Sequence, residues 1–137
     1  MVIAARGRPL NEITLRLALS IGLLVPAALP AGVEAHAVLV RSAPQARASV
    51  RVPPRRAQLW FSERLEPAYS TMSVWSDRTK VDSGDAEVSS EDARQLSVAL
   101  PALDRGVYVV KYRVLSVDGH VVEGGYSFTV KGEAARK

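Results

Sequence analysis

The chain carries its clearest structural signal at residues 106–117, which read GVYVVKYRVLSV. Every second position from Tyr108 to Val114 is apolar or aromatic, so these side chains share one face of an extended strand. Residues 121–131 continue the pattern, with aromatic and aliphatic residues at alternate positions near their end. Two adjacent strands that each have one apolar face predict a sheet that buries this face in a core.

The same alternation appears in shorter stretches nearer the N-terminus. We predict strands at residues 37–42, 57–62, 71–76 and 95–100. Proline, glycine and aspartate at turn positions separate them, and the polar stretch 83–94 is predicted to be an exposed connection. Beyond residue 36 no stretch of useful length has helical periodicity. The sequence therefore predicts an all-β domain, a Greek-key β-barrel or sandwich of about a hundred residues.

Composition narrows the chemistry that this domain can perform. The chain has 137 residues, of which 47% are hydrophobic, and this fits one small globular domain. It has no cysteine, which excludes disulfides, thiolate zinc sites, iron–sulfur clusters and cysteine nucleophiles. It has only two histidines, His36 and His120, so any imidazole site uses at most these two.

The first 35 residues have the pattern of a signal peptide. Three arginines precede an apolar run at residues 17–29, which is too short for a comfortable membrane span. Val33 and Ala35 supply the small side chains that signal peptidase requires at positions −3 and −1. We predict removal of residues 1–35 by cleavage after Ala35, with His36 as the first residue of the mature chain. The alternative, an uncleaved membrane anchor, is disfavoured by the short apolar run.

The predicted mature chain consists of a β domain at residues 36–131 and a polar tail at residues 132–137. The net charge of the whole chain is +4, which is too mild to indicate a nucleic-acid partner. The arginines between residues 47 and 56 have no interleaved aromatic residues on which bases could stack. We therefore predict a protein exported from the cytoplasm, with no nucleic-acid partner and no membrane anchor after cleavage.

Cleavage after Ala35 would give His36 two metal ligands, its α-amine and its imidazole Nδ1, which close a six-membered chelate ring. Nitrogen and oxygen ligands in tetragonal geometry suit Cu(II), which also binds most tightly of the divalent first-row ions. In an extended segment Asp118 and His120 point to the same side, and Gly119 lets the backbone between them adjust. The predicted metal site holds three nitrogens and one oxygen.

A simpler interpretation of this segment is structural. Asp118-Gly119 between two alternating stretches is a type I′ hairpin signal, and His120 would then be a surface residue after the turn. The other histidine of the chain, however, lies at the predicted new N-terminus. A turn alone does not explain that coincidence, so we favour the metal site.

Several motifs, taken in order, resemble one known family. They are His36–Leu39 with Ser42–Pro44, Leu59–Glu63 with Glu66–Pro67, Tyr112–Val114 with Ser116–His120, and Gly124–Val130. This set resembles the CopC family of periplasmic copper-binding proteins, and the resemblance covers essentially the whole predicted mature chain.

The resemblance implies a cupredoxin-like or immunoglobulin-like Greek-key β-barrel in the periplasm. It implies one Cu(II) per chain, bound by the residues that match His36, Asp118 and His120. It also implies a partner, a CopD-type inner-membrane protein that receives copper. Glu63 matches a family glutamate near the copper, either beside it or as a weak axial ligand. Its alternative interpretation is an exposed carboxylate at the end of a strand.

The sequence departs from family members that have a second, methionine-rich Cu(I) site. Met72 is its only methionine after residue 35, so we expect no such site. The leading hypothesis is a Cu(II) carrier or buffer in copper resistance or uptake, and not an enzyme. One alternative is a copper monooxygenase with an N-terminal histidine. The small size of the domain and a carboxylate at an equatorial position argue against a monooxygenase. The other alternative is an exported immunoglobulin-like interaction module that binds no metal.

Overall fold

The computed structural model of the protein describes residues 36–132. The strands in that range are β1 Leu39–Ala43, β2 Ser49–Val50, β3 Arg56–Phe61, β4 Thr71–Ser76, β5 Thr79–Lys80, β6 Glu87–Val88, β7 Gln95–Ala99, β8 Gly106–Leu115 and β9 Val121–Val130. One 3₁₀ turn, Pro67–Tyr69, precedes β4. The predicted signal peptide and most of the predicted tail lie outside the described residues.

The strands form two sheets. The order in the four-stranded sheet is β1-β3-β7-β6, and the order in the five-stranded sheet is β2-β9-β8-β4-β5. Neighbouring strands are antiparallel except β2 and β9, which pair in parallel. Side chains from both sheets, such as Leu59, Leu96, Val110 and Phe128, are fully buried between them. The predicted all-β sandwich is confirmed.

The six predicted strands are present, each with bounds within two residues of those expected. Sequence patterning missed β2, β5 and β6, because two residues are too short to show alternation. The prediction that residues 83–94 form only an exposed connection is wrong at β6, where Glu87 pairs with Ser97 of β7. Within residues 36–132, none of the helical structure could cross a membrane.

The segment that carries His36 and the loop that carries His120 are joined through the residues that follow β3. After β3, the backbone N–H of Ser62 donates to the carbonyl of Val38 over 2.8 Å. Two residues later, the carbonyl of Arg64 accepts the N–H of Val117 over 3.0 Å, just after β8. The segment after β3 thus joins the residues before β1 to the loop between β8 and β9.

Candidate metal centre

The segment that carries His36 is fixed by Ser62. The Ser62 hydroxyl accepts the N–H of Val38 over 2.9 Å and donates to the carbonyl of His36 over 3.4 Å. Ala37, between them, is buried in the core, while His36 itself is exposed. The backbone at His36 is therefore held against the sandwich, with its side chain at the surface.

The loop between β8 and β9 differs from the predicted type I′ turn. Ser116 and His120 close the loop through a 3.0 Å hydrogen bond from the Ser116 N–H to the His120 carbonyl, which leaves three residues in the loop. Of these, only Gly119 has a positive φ, +93°. A type I′ turn requires positive φ at both central residues, so this is the three-residue hairpin loop with glycine last. Asp118 and His120 are brought together by this loop and not by strand alternation.

A network of short polar contacts holds Asp118 and His120 together. The fully buried Ser116 hydroxyl donates to Asp118 Oδ1 and accepts from the N–H of His120 over 3.3 Å. The same Asp118 oxygen lies 3.4 Å from the His120 backbone nitrogen and 3.2 Å from its imidazole Nδ1. The Ser116 hydrogen bond, followed by the contacts of His120, holds the pKa of the Asp118 carboxyl below its usual range. Asp118 is therefore a carboxylate at neutral pH.

The structure brings the two histidines of the chain side by side. The ring centroids of His36 and His120 are 4.7 Å apart, and the rings meet edge to face at 74°. We call His36, Asp118 and His120 the histidine corner. The side chains of Asp118 and His120 are about one-third exposed, so an ion can reach them from solvent. Two imidazoles and a carboxylate are donors that suit Cu(II).

The histidine corner consists of two close pairs, His36 with His120 and Asp118 with His120. Among residues 36–132, no group of three or more histidine, aspartate or glutamate side chains is already gathered at metal-ligand spacing. The fourth predicted donor, the α-amine of His36, exists only if the bond between Ala35 and His36 is cut, and Ala35 lies outside the described residues. For all three side chains to bind one ion, they would have to move from the positions described.

Glu63 is half-buried and follows β3. It lies between Ser62, which binds the His36 segment, and Arg64, whose carbonyl binds Val117. The backbone therefore places Glu63 between the two segments that carry the predicted ligands. Whether its carboxylate contacts the metal stays a prediction.

Sequence reasoning missed two serines that shape this region, Ser62 and Ser116. A signal for Ser116 was present, because a hydroxyl two residues before an aspartate in a turn commonly bonds to neighbouring backbone or side-chain groups. Ser62 carried no comparable local signal, since its partners, Val38 and the His36 carbonyl, are distant in sequence.

Comparisons with known proteins agree with this architecture. The family model of the CopC domain matches residues 39–131, a span that contains Asp118 and His120 and begins three residues after His36. Protein YobA of Escherichia coli K12 is 36% identical over 120 residues, which cover 86% of this chain and 95% of YobA.

Two solved structures match most of the chain. The crystal structure of CopC from Methylosinus trichosporium OB3b is 38% identical, with a TM-score of 0.63, and covers 74% of this chain and 100% of its own. PcoC, a methionine-rich copper resistance protein from Escherichia coli, is 32% identical, with a TM-score of 0.59, and covers 71% of this chain and 100% of its own.

Proposed function

The chain belongs to the CopC family, and from that premise we propose that it is an exported Cu(II)-binding protein that carries or buffers copper in copper resistance or uptake. One observation carries the proposal. The only two histidines of the chain, distant in sequence, lie with their rings 4.7 Å apart, and a carboxylate contacts one of them.

The proposed site binds one Cu(II) with three nitrogens and one oxygen. Cleavage after Ala35 releases the signal peptide and frees the α-amine of His36, which chelates copper together with the Nδ1 of the same residue. His120 supplies the third nitrogen. The contacts of Asp118 described above all fall on Oδ1, so Oδ2 is the oxygen that they leave for the metal. The mature domain, residues 36–131, then works in the periplasm.

The proposal is specific for Cu(II). Cu(I) prefers soft sulfur ligands, thiolate or thioether. The chain has no cysteine, and Met72, its one methionine after residue 35, is buried in the core. PcoC is described as methionine-rich, so this chain differs from it in the ligand type that a Cu(I) site needs.

The surface around the histidine corner suits a carrier that hands copper to a protein partner. Valines next to the proposed ligands, Val38, Val117 and Val121, are each at least half exposed. A partner that takes the ion must bring its own ligands within bonding distance, and would therefore contact these valines. We propose a CopD-type inner-membrane protein as this partner.

The test starts with the exported protein itself. Mass spectrometry of its N-terminus should find His36 first. Calorimetry with excess Cu(II) should then raise the melting temperature, because free ligand at 100 times its Kd stabilises the native state by about 2.7 kcal/mol. An unchanged melting temperature would indicate a metal-free interaction module. Rapid peroxide formation or polysaccharide oxidation by the copper-loaded protein with a reductant would indicate a monooxygenase.

A further inference from the structure

We propose that Ser116 is the positioning residue of the histidine corner: its buried hydroxyl holds the Asp118 carboxylate by Oδ1, which leaves Oδ2 for the metal, and it anchors the backbone of His120. The proposal rests on the proposed copper function for its readout. Ser116 is not one of the proposed ligands, and the sequence alone did not indicate this role.

Ser116 is itself fixed on several sides. Its N–H donates to the His120 carbonyl over 3.0 Å, and its carbonyl accepts the N–H of Gly119 over 2.9 Å. It also forms an isolated bridge with Leu65, which is buried in the core. With its backbone groups engaged and no part of it exposed, Ser116 presents its hydroxyl to the loop from a rigid base.

The hydroxyl acts on two proposed ligands at once. Its one proton has two acceptors within reach, Asp118 Oδ1 and the His120 carbonyl at 3.1 Å, and the charged carboxylate oxygen is the stronger acceptor. The hydroxyl oxygen accepts the backbone N–H of His120 over 3.3 Å. This ties the carboxylate and the histidine backbone to the same atom. An aspartate one-third exposed in a loop would otherwise sample several rotamers, and ordering it on metal binding would cost conformational entropy. Ser116 removes part of that cost beforehand.

The choice of oxygen follows from the same contacts. Asp118 Oδ1 lies 3.2 Å from His120 Nδ1. Ser116 and the His120 backbone nitrogen also contact Oδ1, so Oδ2 is the oxygen left for the ion. The geometry therefore assigns a different task to each oxygen of Asp118.

The test compares Ser116→Ala with Ser97→Ala, both in the chain that begins at His36. Ser97 is a matched control, because it is also a buried serine with one side-chain partner, the Arg56 guanidinium at 2.8 Å. It lies on β7, away from the histidine corner. We expect Ser116→Ala to weaken Cu(II) binding by about 10- to 100-fold, the usual effect of removing a partner of a metal ligand. Its electron paramagnetic resonance spectrum should also change. Ser97→Ala should leave affinity and spectrum as in the wild type.

A double-variant cycle tests whether Ser116 acts through Asp118. If it does, Ser116→Ala adds little to the loss already caused by Asp118→Asn. Fully additive losses, or a Ser116→Ala protein with wild-type affinity and spectrum, would overturn the positioning role. If the wild-type chain binds no Cu(II), it is the proposed function that fails.

A measurement on the wild-type protein keeps the proposal falsifiable if Ser116→Ala does not fold. A buried hydroxyl that donates to a carboxylate exchanges its proton slowly with water, so the Ser116 hydroxyl proton should be visible by nuclear magnetic resonance in the metal-free protein. It should show contacts to Asp118. A fast-exchanging Ser116 hydroxyl with no such contact would contradict the proposal.

Discussion

Asp82 and Asp118 both lie in loops that follow strands of the five-stranded sheet, yet their surroundings are opposite. The Asp82 side chain is completely buried, and both of its oxygens accept backbone N–H groups, from Val74 over 2.8 Å and from Gly84 over 2.9 Å. The Asp118 side chain is 36% exposed, and its contacts fall on one oxygen.

This difference separates a structural carboxylate from a ligand. Asp82 has both oxygens occupied by the fold, with the Lys80 ammonium 3.6 Å away, so it holds the loop after β5 onto β4. Asp118 has one oxygen next to an imidazole, its contacts fall on that oxygen alone, and its side chain is partly exposed. Both residues are aspartates. What distinguishes the structural role from the ligand role is whether the side chain is buried and whether both of its oxygens already accept hydrogen bonds.

Acidification should cause the largest loss of Cu(II) affinity. It should also distinguish binding through nitrogen ligands from binding through carboxylates alone. The hydrogen bond from Ser116 lowers the pKa of Asp118, so its charge is present at neutral pH and is lost only below the ordinary carboxylate range. Amines and imidazoles must lose protons to bind a metal, and ordinarily take them up between about pH 8 and pH 5. We predict that Cu(II) affinity falls at least about 1,000-fold over that range, measured with a competing chelator. If the affinity stays constant down to about pH 4, carboxylates alone bind the metal.

Removing Asp82 should damage the fold and spare the metal site. Asp82→Ala leaves the buried N–H of Val74 without its acceptor and removes the acceptor of Gly84, so we expect a loss of about 3 kcal/mol in the free energy of unfolding. Asp85→Ala is the control, because exposed Asp85 accepts one N–H, from Ala99 over 2.9 Å. It should lose less than half as much in urea denaturation. Both variants should keep wild-type Cu(II) affinity when folded, and a binding loss in Asp82→Ala alone would break the comparison.

Removing the charge of Asp118 should weaken metal binding and leave the fold intact. Asp118→Asn keeps the shape of the side chain and an oxygen that can accept from Ser116, so we expect the free energy of unfolding to fall by only about 1 kcal/mol, the difference between a charged and a neutral acceptor. Because Asp118 is a proposed ligand, Cu(II) affinity should fall by more than the about 10- to 100-fold expected for removing a partner of a ligand, with an altered electron paramagnetic resonance spectrum. Asp104→Asn, at an exposed aspartate outside the histidine corner, should change neither. An unchanged spectrum for Asp118→Asn would reduce Asp118 to a turn residue.

The smallest effect is expected at Met72, which lies in the core and serves neither role. Met72→Leu conserves volume, so its cost in stability should stay below about 1.5 kcal/mol. Its Cu(II) affinity should equal that of the wild type, and Cu(I) should bind weakly to both proteins under reducing conditions. Loss of a tight Cu(I) site in Met72→Leu would refute the Cu(II)-only assignment.

The sequence predicts elements whose side-chain pattern repeats along the chain. It does not predict features that depend on contacts between residues distant in sequence. Ten-residue strands such as β8 and β9 show their alternation plainly, whereas β2 and β5 are two residues long and form by pairing with neighbours. The scarcity of histidine indicated which residues to pair, and the structure placed those two rings together.

Side-chain roles at the site were harder to predict. Asp82 and Asp118 are both followed by polar or glycine residues, and only burial distinguishes them. The three-residue loop could not be told from a two-residue type I′ turn, because both place glycine after aspartate. The functions of Ser62 and Ser116 depend on which atoms face them, and this is a property of the folded chain.

The most direct test concerns the nitrogen at the start of the mature chain. The chain that begins at His36 should be compared with the same chain acetylated on the His36 α-amine, which removes the amine as a ligand and leaves every side chain in place. We predict that acetylation weakens Cu(II) binding by about 1,000-fold, or about 4 kcal/mol, and changes the nitrogen hyperfine pattern. Equal affinity and identical spectra for the two proteins would show that the His36 amine does not bind copper.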